Sequence, residues 1–128
     1  MTQPGEGYQG DDFYCDVAIP NAGALRVEHD DDWILAFHHT RPYWKNHVVV
    51  VPKKHIASLT TVGVEDREHV TRLLSVVQDI ARRVENRDGE AAVLTNLGRY
   101  QDSKHLHVHI HSGGRPGSDP APGGVGTG

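Results

Sequence analysis

The chain has 128 residues, the usual length of one domain, and a formal charge of −4 when its histidines are neutral. Its lysines and arginines are dispersed, with no basic run longer than two residues, which argues against nucleic acid as a partner. The longest purely apolar run, VVVV at 48–51, is far too short to span a membrane, and MTQPGEGYQGDD lacks the pattern of a signal peptide. With a single cysteine, Cys15, the sequence predicts a cytoplasmic protein with no membrane partner.

Composition divides the chain into three parts. Residues 1–11 are polar and rich in glycine, and we expect a flexible N-terminus there. Residues 113–128, GGRPGSDPAPGGVGTG, contain seven glycines and three prolines. Such a segment buries too little apolar surface to offset the entropy of ordering it, so a disordered tail is expected. The folded domain is predicted to span residues 12–112.

Three strands are predicted before the first long helix. ALRVEHD (24–30) and WILAFHH (33–39) are short strand candidates joined by an acidic Asp-Asp turn. HVVVVP (47–52) is a continuous run of β-branched residues that ends at proline. Such a run is typical of a strand buried on both faces.

Residues 65–86 are predicted to form one long helix. Its apolar stripe repeats at helical spacing and consists of Val70, Leu73, Leu74, Val77, Ala81 and Val84. Acidic residues open this helix and two arginines lie near its end, as the helix dipole favours. AAVLTN (91–96) and KHLHVHIHS (104–112) are the remaining strand candidates. The predicted fold class is α+β, with a mostly antiparallel sheet of about five strands, one long helix and a short helix.

The last strand carries a histidine at every second position, at 105, 107, 109 and 111. Because neighbouring side chains on a strand point to opposite faces, all four imidazoles are expected on one face, about 7 Å apart at each step. Leu106, Val108 and Ile110 then face the core. A merely solvated face would carry a mixture of Thr, Lys, Glu and Ser, so the row of imidazoles indicates a function.

Two kinds of chemistry use such a row. Alternating histidines chelate metals, but no acidic residue follows until Asp119, so further ligands would have to come from elsewhere, such as His47 or His55. Neutral imidazoles also bind phosphate and attack phosphorus. Crowding makes each ring harder to protonate and so keeps a nucleophile neutral. The phosphorus chemistry explains more of the pattern, and the metal site stays open as an alternative.

Two upstream features accompany the histidine row. LAFHHTRPYWKNHVVVVPKKHI (35–56) ends in Pro-Lys-Lys-His-Ile, and Asn96 and Gln101 precede the histidines. With these motifs, residues 12–111 resemble the histidine triad (HIT) family of nucleotide hydrolases and transferases, most of all its small nucleotide-binding hydrolases. The resemblance implies the α+β fold of that family and a homodimer.

The resemblance fixes which histidines form the triad. The family has a glutamine four residues before the first triad histidine, and Gln101 stands in that relation to His105. The triad is therefore expected to be His105, His107 and His109. His111 is then an extra histidine, and it is expected to face solvent or the pocket rim.

The resemblance also implies roles for the residues of the site. His107 would attack the α-phosphorus, and the backbone carbonyl of His105 would hold its other ring nitrogen as N–H. His109 and His47 would bind phosphate oxygens, and His109 would also assist the leaving group. A third histidine in place of glutamine favours hydrolysis over nucleotidyl transfer. The expected substrate-binding residues are Asn96 and Gln101 near the phosphate, His39 at the sugar, and Tyr14, Val17 and Phe37 against the base.

Two departures from the family concern ligands. The family has aspartate at position 39, where it accepts both ribose hydroxyls, whereas His39 accepts only one hydrogen bond when neutral. Some members hold zinc with two N-terminal cysteines and two histidines. Here Cys15 matches the second cysteine and Asp12 stands in the first place, so Asp12, Cys15, His55 and a triad histidine form a possible zinc site. The proposed chemistry itself requires no cofactor.

The function predicted from the sequence is hydrolysis at the α-phosphorus of a nucleoside monophosphate conjugate, such as a phosphoramidate or phosphoanhydride. It proceeds through a nucleotidyl-histidine intermediate. Two alternatives remain open at this point: a metal-binding protein or metalloenzyme that uses the same histidines, and a protein that binds a nucleotide-like ligand without turning it over.

Overall fold

The computed structural model describes residues 9–114. Most of the predicted flexible N-terminus and of the predicted disordered tail lies outside these residues. The regular elements, in chain order, are β1 (Val27–Asp30), β2 (Ile34–His38), β3 (Asn46–Pro52), α1 (Arg67–Asp88), β4 (Ala92–Leu94) and β5 (Val108–Ser112). Short helical turns lie at Tyr14–Ala18, Ala22–Ala24, Leu59–Thr61, Val64–Asp66 and Gly98–Tyr100.

The strands form one five-stranded sheet in the order β1-β2-β3-β5-β4, with every neighbouring pair antiparallel. The α+β prediction is therefore confirmed. Asp31 closes the β1–β2 hairpin, because its Oδ1 accepts the backbone N–H groups of Trp33 and Ile34 at 2.7 Å each. The central strand β3 is bordered by β2 and β5, and this position brings residues that are distant in sequence onto the same face.

The strand β3 is buried on both faces, as its sequence predicts. Val48 and Val50 belong to the core between the sheet and α1, together with Leu106, Val108 and Ile110. Val49 and Val51 belong to a second cluster on the opposite face, with Tyr14, Phe37, Ala18 and Leu35. The histidines of β5 alternate with the core residues and therefore lie on this second face.

The helix α1 begins and ends two residues later than predicted. The short turn Val64–Asp66 precedes it, and Gly89 ends it with a φ of +80°, which glycine adopts without strain. The predicted apolar stripe is partly wrong, because Leu74 is 58% exposed. Val76 and Ile80 are buried in its place, with Leu73, Val77 and Val84. Leu74 is about 100° around the helix from Leu73, which carries it off the buried face.

The histidine strand is shorter than predicted, because its regular pairing begins only at Val108. The partner strand β3 ends at Pro52, and the Leu106 N–H donates instead to the Ile56 carbonyl at 2.6 Å. His105 and His107 therefore lie just before β5 and outside its regular pairing. Among residues 9–114, no helix has both the length and the apolar character needed to cross a bilayer.

Candidate active site

The antiparallel register brings five histidines from three segments together on the sheet face opposite α1, at positions 39, 47, 107, 109 and 111. His47 pairs with His111 across β3 and β5, and His109 pairs with Val49. His39 follows β2, and its backbone N–H donates to the His47 carbonyl at 2.8 Å. The rings of His39 and His47 are stacked, with centroids 4.4 Å apart and planes 14° from parallel.

His111 is not a solvent-facing or rim residue, so that expectation is wrong. Its side chain is 1% exposed, and Trp44 is stacked on it with centroids 3.5 Å apart and planes 6° from parallel. The reason is that β5 continues to pair with β3 as far as Ser112, and the chain before β3 places Trp44 over this part of the sheet. Neither ring nitrogen of His111 has a hydrogen-bond partner within residues 9–114.

His107 is held in one tautomer by the backbone. Its Nδ1 lies 2.6 Å from the His105 carbonyl oxygen, and a carbonyl can only accept, so Nδ1 carries the proton. The lone pair of a neutral ring is then on Nε2, the nitrogen that acts as nucleophile. Thr95 Oγ1 donates to the His107 carbonyl at 2.7 Å and fixes the backbone at this residue.

A contact between two imidazole rings joins β3 to β5. His47 Nε2 lies 2.7 Å from His109 Nδ1, and the Tyr43 N–H donates to His47 Nδ1 at 3.2 Å. His109 Nε2 is buried and has no hydrogen-bond partner in the part of the chain that the structure describes. The rings of His107 and His109 are nearly perpendicular, with centroids 4.9 Å apart. A buried ring nitrogen with no hydrogen-bond partner in the described residues therefore lies beside the nucleophile.

Burial keeps these rings neutral. The pKa of His39 is lowered to about 4, of His47 to about 2 and of His109 to about 3, first by desolvation and then by the neighbouring histidines. The pKa of His107 is also lowered, first by burial, although its hydrogen bond to the His105 carbonyl acts in the opposite direction. Four imidazoles at the site are therefore uncharged at neutral pH.

The two amide side chains expected near the phosphate differ in what they contact. The Gln101 amide nitrogen donates to the carbonyls of Ala57 at 2.7 Å and of His105 at 3.5 Å, the second of which also holds His107. Asn96 is 9% exposed, and its amide nitrogen has no partner among the described residues. Asn96 is therefore the amide with a donor available for a ligand, whereas Gln101 supports the backbone before the nucleophile.

The residues expected to contact a base are brought together only in part. Tyr14 and Phe37 lie in one buried cluster, with ring centroids 6.1 Å apart. The Tyr14 ring also lies 4.8 Å from His107, so it joins the apolar cluster to the nucleophile. Val17 is half-buried on the same short turn as Tyr14 but is not one of the buried residues of that cluster.

A second group of ligand-type side chains lies beside the first triad histidine. Asp12, Cys15, His55 and His105 place one ligand atom each within 4.8 Å of one another. His105 Nε2 donates to the Pro52 carbonyl at 2.7 Å, which leaves the Nδ1 of a neutral ring as an acceptor. This Nδ1 faces Asp12 Oδ2 at 3.2 Å and Cys15 Sγ at 3.3 Å.

The donor set of this group fits zinc. Two lone-pair atoms, His105 Nδ1 and Asp12 Oδ2, face each other, an arrangement that a cation between them would stabilise. The set offers two nitrogens, one thiolate and one carboxylate, all ligands that zinc accepts in tetrahedral geometry. Without a metal, burial and Asp12 raise the pKa of the Cys15 thiol to about 11. Bound there, zinc would supply structural order to the segment that carries the His105 carbonyl.

Several contacts at the site are invisible in the sequence pattern. The Tyr43 amide and the Pro52 carbonyl fix histidine tautomers, but backbone atoms leave no compositional signal. The Thr95 hydroxyl fixes the backbone at His107, and no spacing in the sequence indicates this contact. The stacking of Trp44 on His111 follows only from the register of β3 and β5.

Comparison with known proteins shows the family to which the chain belongs. Residues 12–118 match the family model described as "Scavenger mRNA decapping enzyme C-term binding". An uncharacterized HIT-like protein of Synechocystis is 35% identical over 95 residues, which cover 73% of this chain and 82% of that protein. The chain belongs to the histidine triad (HIT) family.

Two further relatives carry more specific names. The purine nucleoside phosphoramidase of Escherichia coli is 25% identical over 91 residues, which cover 70% of this chain and 76% of that protein. The crystal structure of a HIT family hydrolase from Legionella pneumophila has a TM-score of 0.68 and 27% identity, and the match covers 80% of this chain and 92% of that one.

Proposed function

We propose that this HIT protein hydrolyses nucleoside monophosphate conjugates at the α-phosphorus, with His107 as the nucleophile. The observation that carries the proposal is the 2.6 Å contact between His107 Nδ1 and the His105 carbonyl, because it directs a neutral Nε2 lone pair away from the backbone. The names of the E. coli phosphoramidase and the Legionella hydrolase support the same reaction class. A phosphoramidate or phosphoanhydride is the substrate class that we propose.

The reaction takes two displacements at phosphorus. His107 Nε2 attacks the α-phosphorus and a P–N bond forms, while the bond to the leaving group breaks with its electron pair on the leaving atom, which takes up a proton. Water then attacks the same phosphorus and gives up a proton, and the electron pair of the P–N bond returns to His107 Nε2. The net reaction adds one water molecule across the cleaved bond. The site helps mainly by positioning and by donating hydrogen bonds to the charged oxygens. His109 Nε2–H and the amide of Asn96 are two donors that have no other partner in residues 9–114.

The remaining predicted residues surround this centre. Tyr14 and Phe37 provide an apolar surface beside His107 for a base, and the half-buried Val17 lies at its edge. His39, stacked on His47, offers one ring N–H to the sugar. Gln101 contributes through the His105 carbonyl. No step of this reaction requires a cofactor.

The test is turnover of adenosine and guanosine 5′-phosphoramidates by protein without a histidine tag, with and without EDTA. His107→Ala removes the nucleophile and is expected to lower kcat by several orders of magnitude, as removal of a covalent catalyst does. Acid-quenched wild-type protein should carry a nucleotidyl group, detected by mass, that is absent from His107→Ala. The surface variant His29→Ala is the matched control.

Three results would contradict the proposal. Activity that EDTA abolishes and metal restores would make these histidines a metal site. Equal rates for wild type and His107→Ala would show that His107 is not the nucleophile. Tight binding of nucleotide with no turnover and no adduct would identify a binding protein.

The family resemblance also predicts a homodimer. The strand β4 lies at one end of the sheet order, so one of its edges has no partner strand within residues 9–114. Light scattering after size exclusion should give twice the mass of the 14.1 kDa chain. A monomer mass at micromolar concentration would contradict the prediction.

A further inference from the structure

His47 has no ring nitrogen left for a substrate. Its side chain is 2% exposed, Nδ1 accepts the Tyr43 N–H, and Nε2 lies against His109 Nδ1. A backbone amide can only donate, so Nδ1 is the unprotonated nitrogen of a neutral His47 ring. The proton of that ring is therefore on Nε2, and the Nε2–H donates to His109 Nδ1.

The tautomer of His47 determines the tautomer of His109. Since His109 Nδ1 accepts a hydrogen bond, the single proton of a neutral His109 ring is on Nε2. That nitrogen is buried, lacks a partner within residues 9–114, and belongs to the ring that stands 4.9 Å from His107. The Tyr43 backbone amide thus determines, through the rings of His47 and His109, which nitrogen beside His107 carries a proton.

Packing holds the His47 ring in this orientation. His39 is stacked on one side of it at 4.4 Å, and Trp44 meets it edge-on at 4.8 Å. A rotation toward substrate would give up both ring contacts and both hydrogen bonds. His47 therefore stays with its neighbours while the reaction proceeds.

We propose that His47 is a positioning residue, which acts through His109 by holding it as the Nε2–H donor beside the nucleophile, and does not itself bind phosphate. The proposal rests on the hydrolase function and assigns a new role within that site. The backbone amide of Tyr43 is the first donor in this series of hydrogen bonds, because a backbone N–H can only donate. A neutral, oriented donor of this kind stabilises developing charge without any reorganisation.

The experiment combines three variants with a direct view of the His109 tautomer. His47→Gln keeps an amide donor at the end of the side chain, His47→Phe keeps the ring but removes both nitrogens, and His29→Gln is the matched surface control. Histidine-selective ¹⁵N labelling at pH 7 distinguishes the two ring nitrogens, and the signals of His109 are assigned from their loss in His109→Gln. Steady-state kinetics on one phosphoramidate are measured for the same proteins.

Wild type should show His109 with Nδ1 unprotonated and Nε2 protonated. His47→Phe should show a mixture of tautomers and a kcat lower by about ten- to a hundredfold, with KM changed less than about threefold. Complete loss of a preorganised donor lowers kcat by about a hundred- to a thousandfold, and a mixture of tautomers loses part of that effect. His47→Gln should restore the wild-type tautomer and most of kcat. These results together support the positioning role.

The opposite results are as clear. An increase in KM with kcat unchanged in His47→Phe would make His47 a phosphate ligand. A protonated His109 Nδ1 in wild type would overturn the proposal even if His47→Phe fails to fold. If no variant and no wild type turns over any substrate, the hydrolase function fails, while the tautomer spectra still decide how His47 and His109 are joined.

Discussion

Two groups of converging side chains on the same sheet face differ in which imidazole nitrogen the backbone holds. In His39 and His47, Nδ1 accepts a backbone N–H, from Arg41 at 2.9 Å and from Tyr43 at 3.2 Å. In His105, Nε2 donates to a backbone carbonyl, that of Pro52. The first arrangement presents ring N–H groups to the site, whereas the second presents a lone pair.

This difference separates metal chemistry from phosphate chemistry. His39, His47 and His109 also place ligand atoms within 4.8 Å of one another. A metal on Nε2 of His39 or His47 would force the ring proton onto Nδ1, against an amide that already donates there. The group of Asp12, Cys15, His55 and His105 has no such conflict at His105 and includes two anionic ligands. The backbone partners of the histidines therefore distinguish the two groups, in addition to their different ligand types.

The largest effect that tests this comparison is on metal content. We expect protein purified without a tag from zinc-supplemented cells to hold one zinc per chain, by elemental analysis. Cys15→Ala or Asp12→Ala should lower the affinity at least a hundredfold, since each removes one of four ligands. His39→Ala should leave the zinc content unchanged. Zinc lost from His39→Ala but kept in Cys15→Ala would reverse the assignment of the two groups.

The second largest effect is on stability at mildly acid pH. His39, His47 and His109 have pKa values lowered to about 4, 2 and 3 in the folded protein, against 6.5 when exposed. The unfolded chain therefore binds more protons below pH 6.5, so the folded state is fully stable above that pH and loses stability as the pH falls. Each of the three should lower the free energy of unfolding by about 1.4 kcal/mol per pH unit, or about 4 kcal/mol together.

Urea unfolding at pH 7, 6 and 5 measures this slope. His39→Phe keeps a ring against His47 and should reduce the slope by about 1.4 kcal/mol per pH unit. The aspartates with lowered pKa lose their contribution to stability only as the pH falls below their ordinary value of 3.8, which is outside this window. A free energy of unfolding that is constant from pH 7 to pH 5 would mean that these imidazoles are not buried as neutral groups.

Much of the fold and the outline of the site follow from local patterns in the sequence. The period of two in KHLHVHIHS places its histidines and its apolar residues on opposite faces, and HVVVVP predicts a doubly buried strand; both are confirmed. The burial of His111 does not follow from the sequence pattern, because its contact with Trp44 depends on the pairing of two strands about 60 residues apart in sequence. The tautomers depend on backbone partners, which no side-chain pattern encodes.

A smaller effect tests whether His39 offers the sugar of the substrate only a hydrogen-bond donor. Because the Arg41 N–H occupies Nδ1, wild-type protein should hydrolyse ribonucleoside and 2′-deoxyribonucleoside phosphoramidates with kcat/KM values within about threefold of each other. His39→Asp introduces a charged acceptor, whose hydrogen bond to a hydroxyl should raise the preference for ribose about tenfold or more. His39→Asn is the uncharged control. A wild-type preference for ribose above tenfold would contradict the donor-only assignment.

The smallest expected effect concerns Thr95, which joins the end of β4 to the segment between the two groups. Its hydroxyl donates to the His107 carbonyl at 2.7 Å, and one neutral hydrogen bond contributes about 1 kcal/mol. Thr95→Val keeps the shape and should lower kcat about fivefold while zinc content stays unchanged, because the lone pair of His105 is held elsewhere. Thr71→Val is the matched control, since that hydroxyl donates to the Arg67 carbonyl at 3.0 Å on the exposed side of α1. If both variants lose kcat equally, the loss reflects general destabilisation, and the nucleophile is positioned by the His105 carbonyl alone.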